Sequence, residues 1–246
     1  ILRSEVSDAL SKIYVRNIKT NEEEELKITE EKVISPGISI GQKDKDTNII
    51  RISYDSPKTP SRTFEYNIKT KEKKLLKEQI IPSGHNRDDY IVERLNCESH
   101  DGRKIPMTIT YNKETKLDGS AHVLLYGYGS YGMSMGPSFS STRLSLINRN
   151  IIWVTCHIRG GMERGMRWWK EGKMLNKKNT FNDFISCAKF LIEKKYTNKK
   201  KIIAFGGSAG GLLLGAIINQ IPDLLLGAIM AVPFVDNLTT NMDHSL

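Results

Sequence analysis

One stretch constrains this chain more than any other: Lys201-Ile202-Ile203-Ala204-Phe205-Gly206-Gly207-Ser208-Ala209-Gly210-Gly211-Leu212-Leu213-Leu214. A short apolar run enters Gly-x-Ser-x-Gly and leaves it as a run of helix formers. That order calls for a strand, a turn too tight for side chains, and then a helix. Gly206 and Gly210 stand where backbones would crowd, and Ser208 is left on a strained turn with its hydroxyl exposed. The N–H of Ala209, at the helix start, points to where an oxyanion would form beside that hydroxyl. The sequence therefore predicts a nucleophile elbow, with Ser208 the candidate nucleophile. The pentapeptide by itself is weak, since a Gly-rich strand-to-helix turn without chemistry has the same letters. The strand and helix on either side carry the reading.

The 246 residues hold enough chain for one large domain or one and a half, and 39% hydrophobic with 26% charged is an ordinary globular balance. The net charge of +9 comes largely from lysines in short runs such as Lys194-Lys195 and Lys199-Lys200-Lys201. No zinc-finger spacing, aromatic–basic strand motif or basic heptad accompanies them, so they read as solvated faces and no nucleic-acid partner is expected. No apolar run reaches membrane-spanning length, so no membrane partner is expected either. Cys97, Cys156 and Cys187 are far apart and odd in number, which fits reduced thiols in a cytoplasmic protein better than a disulfide framework or a metal site. No cofactor or metal is expected. The chain opens on Ile1 without a signal-peptide pattern and reads as a fragment.

Residues 1–80 read as short alternating strands with polar turns, namely Ile13–Ile18, Ile49–Tyr54 and Thr63–Ile68. The pieces YVRNIKTNEEEELK and FEYNIKTKEKKLLK resemble each other, a weak internal repeat of about 50 residues, as propeller blades would give. Pro82-Ser83-Gly84 marks a domain boundary. From residue 81 to 246 the pattern becomes α/β. Tyr90–Leu95 and Ile105–Tyr111 flank the hairpin signal Asp101-Gly102, and buried-type strands follow at His122–Tyr126 and Ile151–Thr155. A helix is expected from about Thr180 to Tyr196, with Phe181, Phe184, Ile185, Ala188, Leu191 and Ile192 on one face and Thr180 with Asp183 as a capping box. After the elbow, Gly227–Val232 reads as a further buried strand. Alternating strands and helices imply a mostly parallel sheet covered on both faces.

The motifs LLYGYGSYG (Leu124–Gly132), HIRGG (His157–Gly161), KKNTFNDF (Lys177–Phe184), GGSAGGLL (Gly206–Leu213) and VPFVD (Val232–Asp236) stand in the order and spacing of the prolyl oligopeptidase family. They are most similar to its oligopeptidase B, or protease II, branch. IPSGHNRDDYIVERL (Ile81–Leu95), DGRKIP (Asp101–Pro106) and SYDSPKTPS (Ser53–Ser61) resemble that branch where the propeller joins the catalytic domain, and nearly the whole chain is covered. The resemblance implies the last one to two blades of a β-propeller over residues 1–80 and an α/β-hydrolase catalytic domain over 81–246. It implies a serine endopeptidase of short peptides, cleaving after Arg or Lys through a Ser208 acyl-enzyme. By motif match the Tyr128 hydroxyl and the Ala209 N–H form the oxyanion hole, and Tyr131 lines the pocket for the residue before the scissile bond. Tyr126, in the same motif, is the structural counterpart of Tyr128. Met162 stands where the family usually has a third glycine after Arg-Gly-Gly.

A serine hydroxyl needs a base, and in this fold the order is Ser, then Asp or Glu, then His. After Ser208 only Asp223, Asp236, Asp243 and the adjacent His244 remain. The resemblance implies that the triad acid and base, and the acidic residues that set Arg/Lys preference, lie outside this chain. A second polypeptide supplying the rest of the catalytic domain is the partner this implies, and the Gly227–Val232 strand is expected to be an exposed apolar edge. Two alternatives remain: an inactive fragment of an interrupted protease II gene, and an α/β-hydrolase esterase. The propeller-like strands and the Tyr-Gly-Tyr-Gly motif argue against the esterase.

Overall fold

The computed structural model describes residues 1–39 and 47–245, and in it the two Asn-Ile-Lys-Thr turns fold alike. Strands β1 (Leu2–Ser7), β2 (Leu10–Arg16) and β3 (Glu23–Glu25) form one antiparallel sheet; β4 (Ser35–Ser39), β5 (Ile49–Asp55), β6 (Arg62–Asn67) and β7 (Lys73–Glu78) form another. The β2–β3 and β6–β7 turns share their wiring. The Asn17 side-chain oxygen accepts from the Lys19 and Thr20 amides, and that of Asn67 accepts from those of Lys69 and Thr70. Each turn ends with a residue at positive φ, Asn21 at 65° and Lys71 at 64°. The weak repeat seen in the letters is thus a repeated turn, built by an asparagine that replaces missing backbone partners. Period-two alternation gives the two sheets one core, where Ile52 and Tyr54 of β5 meet Ile13, Leu26, Ile28 and Tyr66.

From residue 90 the chain builds a six-stranded sheet. Its elements are β8 (Tyr90–Glu98), β9 (Lys104–Asn112), β10 (His122–Gly127), α1 (Ser141–Ile147), β11 (Ile151–Cys156), α2 (Met166–Lys170), α3 (Lys178–Glu193), β12 (Ile202–Gly207), α4 (Ala209–Gln220), β13 (Leu225–Ala231) and α5 (Asn237–Met242). The strand order is β13-β12-β10-β11-β9-β8. The pairs among β13, β12, β10 and β11 are parallel; β9 and β8 continue antiparallel as the hairpin around Asp101-Gly102. Both faces of the central strands are apolar, which is why they read as unbroken hydrophobic runs. Val123, Leu125, Ile152, Val154, Ile202 and Ala204 join one core with Phe184 and Leu191 of α3 and Leu213 and Ile217 of α4. Leu124 and Trp153 join a second core with Leu144 and Ile147 of α1. Among the described residues no helix is long and apolar enough to cross a membrane.

The start of the long helix and two short helices depart from what the letters imply. Helix α3 begins at Lys178, and Thr180 and Asp183 do not cap it. The Thr180 hydroxyl donates instead to the carbonyls of Arg159 and Gly172, at 2.8 and 3.1 Å. The Asp183 carboxylate is fully buried and receives Arg159: Nε at 2.8 Å, the second terminal nitrogen at 2.6 Å and the backbone N–H at 3.1 Å. A carboxylate on the buried face of a helix is there for a cation, and Asp183 follows Thr180 by three residues on that face. Strand β13, a buried-type run also expected to be an exposed apolar edge, lies at the sheet edge and among the described residues pairs only with β12, burying Leu225 but leaving Leu226 54% and Ile229 49% exposed. Helices α1 and α2 had no place in the sequence reading.

A second buried polar group lies in the loop after β11. Glu163 is 2% exposed; its Oε1 accepts from the Met135 amide at 3.1 Å, and its Oε2 has no partner. Burial pushes this carboxyl up to about 7, against the pull of the Met135 amide and of Arg94. The folded-state value lies above the unfolded one, so the stability contributed by the neutral acid is present at low pH and lost as pH rises to about 7.

Two outcomes follow from these groups. Arg159→Met leaves Asp183 buried without its cation and is expected to cost about 3–5 kcal/mol in urea unfolding, much of it recovered in the Arg159→Met/Asp183→Leu pair. Glu163→Gln is expected to match the wild type in unfolding free energy, measured by urea denaturation, near pH 4.5 and to exceed it increasingly up to pH 7, by at most about 3 kcal/mol.

Candidate active site

The carboxyl ends of β10 and β12 lie side by side, and the elbow forms where β12 turns into α4. Ser208 sits at φ 52° and ψ −116°, a conformation that an L-residue adopts only when its surroundings enforce it. Here they do. Ser208 N–H donates to Ala231 O at 2.9 Å, and Ser208 O accepts from Gly211 and Phe234 at 2.8 and 3.1 Å. The flanking glycines are required by close backbone approach. A β-carbon on Gly206 would lie 2.5 Å from Gly210 O, and one on Gly210 would lie 2.8 Å from Gly127 O. Ser208 is exposed, while Ala209 behind it is buried as the first residue of α4. An amide in that first turn has no intrahelical acceptor and stands at the positive end of the helix dipole, so it can stabilise an anion.

The two tyrosines of LLYGYGSYG part company. The Tyr126 ring packs between Trp153 and Phe205, with centroids 6.1 and 5.4 Å away, and its hydroxyl contacts Met135 Sδ at 3.4 Å. Tyr128 lies on the elbow side, its ring 3.5 Å from where a Gly210 β-carbon would stand. The structure therefore brings Tyr128, Ser208 and Ala209 together. Tyr131 follows at φ 55° and is 75% exposed. The loop from Tyr128 to Gly132 is seated against HIRGG. A β-carbon on Gly160 would lie 2.0 Å from Gly129 O, and Gly132 N–H donates to Gly160 O at 2.9 Å. Met162 needs no glycine, since its φ is not positive and its side chain lies over the bare Cα of Gly132.

None of the five histidines bonds the Ser208 hydroxyl among the described residues. His85 contacts Lys58 O, His100 lies between Ser99 and Asn182, and His122 and His244 are exposed. His157 is fully buried and shares a 2.8 Å hydrogen bond with Thr108 Oγ1. Burial, with Arg94 and Arg164 nearby, holds its pKa well below the usual histidine value. It is neutral, so its 4.0 Å approach to Glu163 is not an ion pair. The three cysteines are free and buried; Cys97 Sγ and Cys187 Sγ are 3.5 Å apart, and the Cys187 contact with burial pushes the Cys97 thiol up while burial with the Cys156 contact pushes Cys187 up, which makes them inert. No group of three or more His, Cys, Asp or Glu is placed to hold a metal among the described residues.

The elbow can be tested through its glycines. Gly206→Ala drives a β-carbon into backbone and is expected to cost about 1–3 kcal/mol in thermal unfolding. Gly136→Ala, where a β-carbon meets nothing within 4 Å, is the control and is expected to stay within about 0.5 kcal/mol of wild type.

Comparison with known proteins shows what the chain as a whole resembles. A family model, the prolyl oligopeptidase family, matches residues 137–246. Dipeptidyl aminopeptidase BI of Pseudoxanthomonas mexicana is 41% identical over 244 residues, 99% of this chain and 33% of that protein. Protease 2 of Moraxella lacunata is 43% identical over 207 residues, 84% of this chain and 30% of that protein. The chain thus spans about a third of the length of the curated relatives it matches. Among solved structures, oligopeptidase B of Leishmania major superimposes with a TM-score of 0.88 at 34% identity, covering 98% of this chain and 35% of that one. Oligopeptidase B of Trypanosoma brucei, solved with covalently bound antipain, gives 0.89 at 34% identity over the same shares. With its mixed α/β fold, the elbow motif and relatives matched over nearly its whole length, the chain is similar throughout to members of the prolyl oligopeptidase family, whose model it matches over residues 137–246.

Proposed function

We propose that this chain carries the nucleophile and oxyanion half of a serine endopeptidase that hydrolyses short peptides after Arg or Lys. The observation that carries the reading is the strained, exposed Ser208 with Tyr128 and the Ala209 amide beside it. Ser208 Oγ attacks the scissile carbonyl, and the proton leaves to a base. The carbonyl oxygen becomes an oxyanion, to which the Ala209 N–H and the Tyr128 hydroxyl donate hydrogen bonds. Each such donor is worth on the order of 3 kcal/mol in the transition state. The amine departs with a proton, leaving an acyl-Ser208 that water hydrolyses. Tyr131, exposed at the rim of the same loop, lines the pocket for the residue before the scissile bond. The Arg/Lys preference is supported by the likeness to oligopeptidase B and protease 2. The covalently held inhibitor in one such neighbour fits a covalent mechanism.

Residues 1–80, with their repeated hairpins, are proposed as the end of a β-propeller that limits access to short peptides, and residues 81–246 as part of an α/β-hydrolase domain. Leu246 itself lies outside the described residues. The base is not among the five histidines as they stand, so a second polypeptide completing the catalytic domain is part of the proposal. A cytoplasmic location is proposed from the buried, reduced thiols.

Intact mass after incubation with a fluorophosphonate probe tests this. A single adduct on the wild-type protein, lost in Ser208→Ala, is the expected result. No adduct on a soluble, folded sample, with or without a co-purified partner, would assign the chain to a non-catalytic remnant.

A further inference from the structure

Lys177 occupies a position that is unfavourable for a lysine in three ways. It is partly buried, and among the described residues no carboxylate lies within ion-pair distance of it. It directly precedes the first residue of α3, where the unpaired amides already present positive partial charge. Burial alone pushes its ammonium down to about 8. A side chain that only filled space here would be more stable without the charge.

What the ammonium does is specific. Nζ donates to Gly129 O at 2.6 Å and to Ser130 Oγ at 2.8 Å. These are the two residues that follow Tyr128. The Gly129 carbonyl is hemmed in by Gly160, whose missing β-carbon would lie 2.0 Å away. Gly129 itself is at φ 63°, and a β-carbon there would lie 2.4 Å from Thr180 Cγ2. The peptide after Tyr128 is therefore clamped between HIRGG and Lys177. Thr180 and Ile158 press on this peptide through apolar side-chain atoms, whereas Lys177 holds it by hydrogen bonds that can be removed without touching backbone.

We propose that Lys177 is the positioning residue for Tyr128: its two hydrogen bonds hold the Gly129–Ser130 backbone so that the phenol stays over the first turn of α4. That the phenol so held is an oxyanion donor rests on the function proposed above; the holding itself does not. Lys177 touches neither substrate nor oxyanion and acts through the loop.

The test uses the whole protein labelled with ¹³Cζ-tyrosine, the Tyr128 signal being assigned with Tyr128→Phe. In Lys177→Met the Tyr128 signal is expected to shift or broaden. Exchange of the Gly132 and Met133 amides should rise by about tenfold or more, while the Tyr126 signal and the later turns of α3 stay as in wild type. Ser130→Ala, which removes one acceptor and leaves the charge, should give the same local change at smaller amplitude. An unchanged Tyr128 signal with unchanged exchange would overturn the proposal. So would a general loosening in which α3 and the loop exchange together, because that is what a merely structural lysine would give. In a wild-type protein that takes the fluorophosphonate, Lys177→Met should slow labelling of Ser208 by about tenfold and add nothing to Tyr128→Phe; additive slowing would also overturn it. If the wild type takes no fluorophosphonate, the catalytic reading fails, and the tyrosine signal and amide exchange still decide the role of Lys177.

Discussion

The ion pair between Arg159 and Asp183 is the interaction on which the remaining geometry depends. Arg159 is 1% exposed and Asp183 is fully buried. Arg159 also reaches Asp101 at 2.5 Å, and Ser99 donates to Asp183 at 2.6 Å. The pair thus ties three parts of the domain to one point: the loop after β11, the inner face of α3, and the turn of the β8–β9 hairpin. Neighbouring carboxylates hold the guanidinium charged against the cost of burial. Removing such a charge pair from water is costly, so what it contributes is placement more than net stability. Everything that follows Arg159 inherits that placement. Gly160 is pressed against Gly129, and Gly129 precedes the seat of Ser130 and Tyr131.

Much of this could be read from the letters, and the unreadable parts share a cause. Central strands announce themselves by unbroken apolar runs, and the elbow by glycines whose spacing only a strand-turn-helix can use. The paired Asn-Ile-Lys-Thr turns were visible because the same asparagine performs the same bonding twice. A Thr-x-x-Asp at a helix start is chemically adequate as a cap, so the letters alone do not mark Asp183 as a counter-ion. Only the tertiary position of Arg159, 24 residues earlier, makes it a counter-ion. The available signal was a carboxylate in register with Thr180, Phe184, Cys187 and Leu191 on the buried stripe. Lys177 left no such signal, since a lysine before a helix ordinarily points to water and its acceptors here are a backbone carbonyl and a hydroxyl. The short α1 and α2 also escaped, each being too brief for a helical period to show.

The candidate site is assembled from parts whose rigidity comes from missing atoms. Gly206, Gly210, Gly160 and Gly129 each stand where a methyl group would meet backbone or a packed side chain at less than 3 Å. Glycine costs backbone entropy wherever it is ordered. Four of them around one serine concentrate that cost at the place where two loops and a helix must approach within hydrogen-bonding reach. The result is a surface in which the Ser208 elbow and the Tyr128 loop approach each other with bare backbone between them.

The last strand of the sheet has a consequence for the serine. Ser208 is not fixed by its own helix alone: its amide is bonded to Ala231, the final residue of β13, and its carbonyl to Phe234 just beyond. Pro233 lies 2.5 Å from where a Gly211 side chain would begin. The edge strand therefore acts as a gauge for the nucleophile. Its twist reaches the angle at which the hydroxyl is offered through two backbone hydrogen bonds. An exposed hydroxyl is in this way set from the outer rim of the sheet, by backbone of a strand that does not carry it.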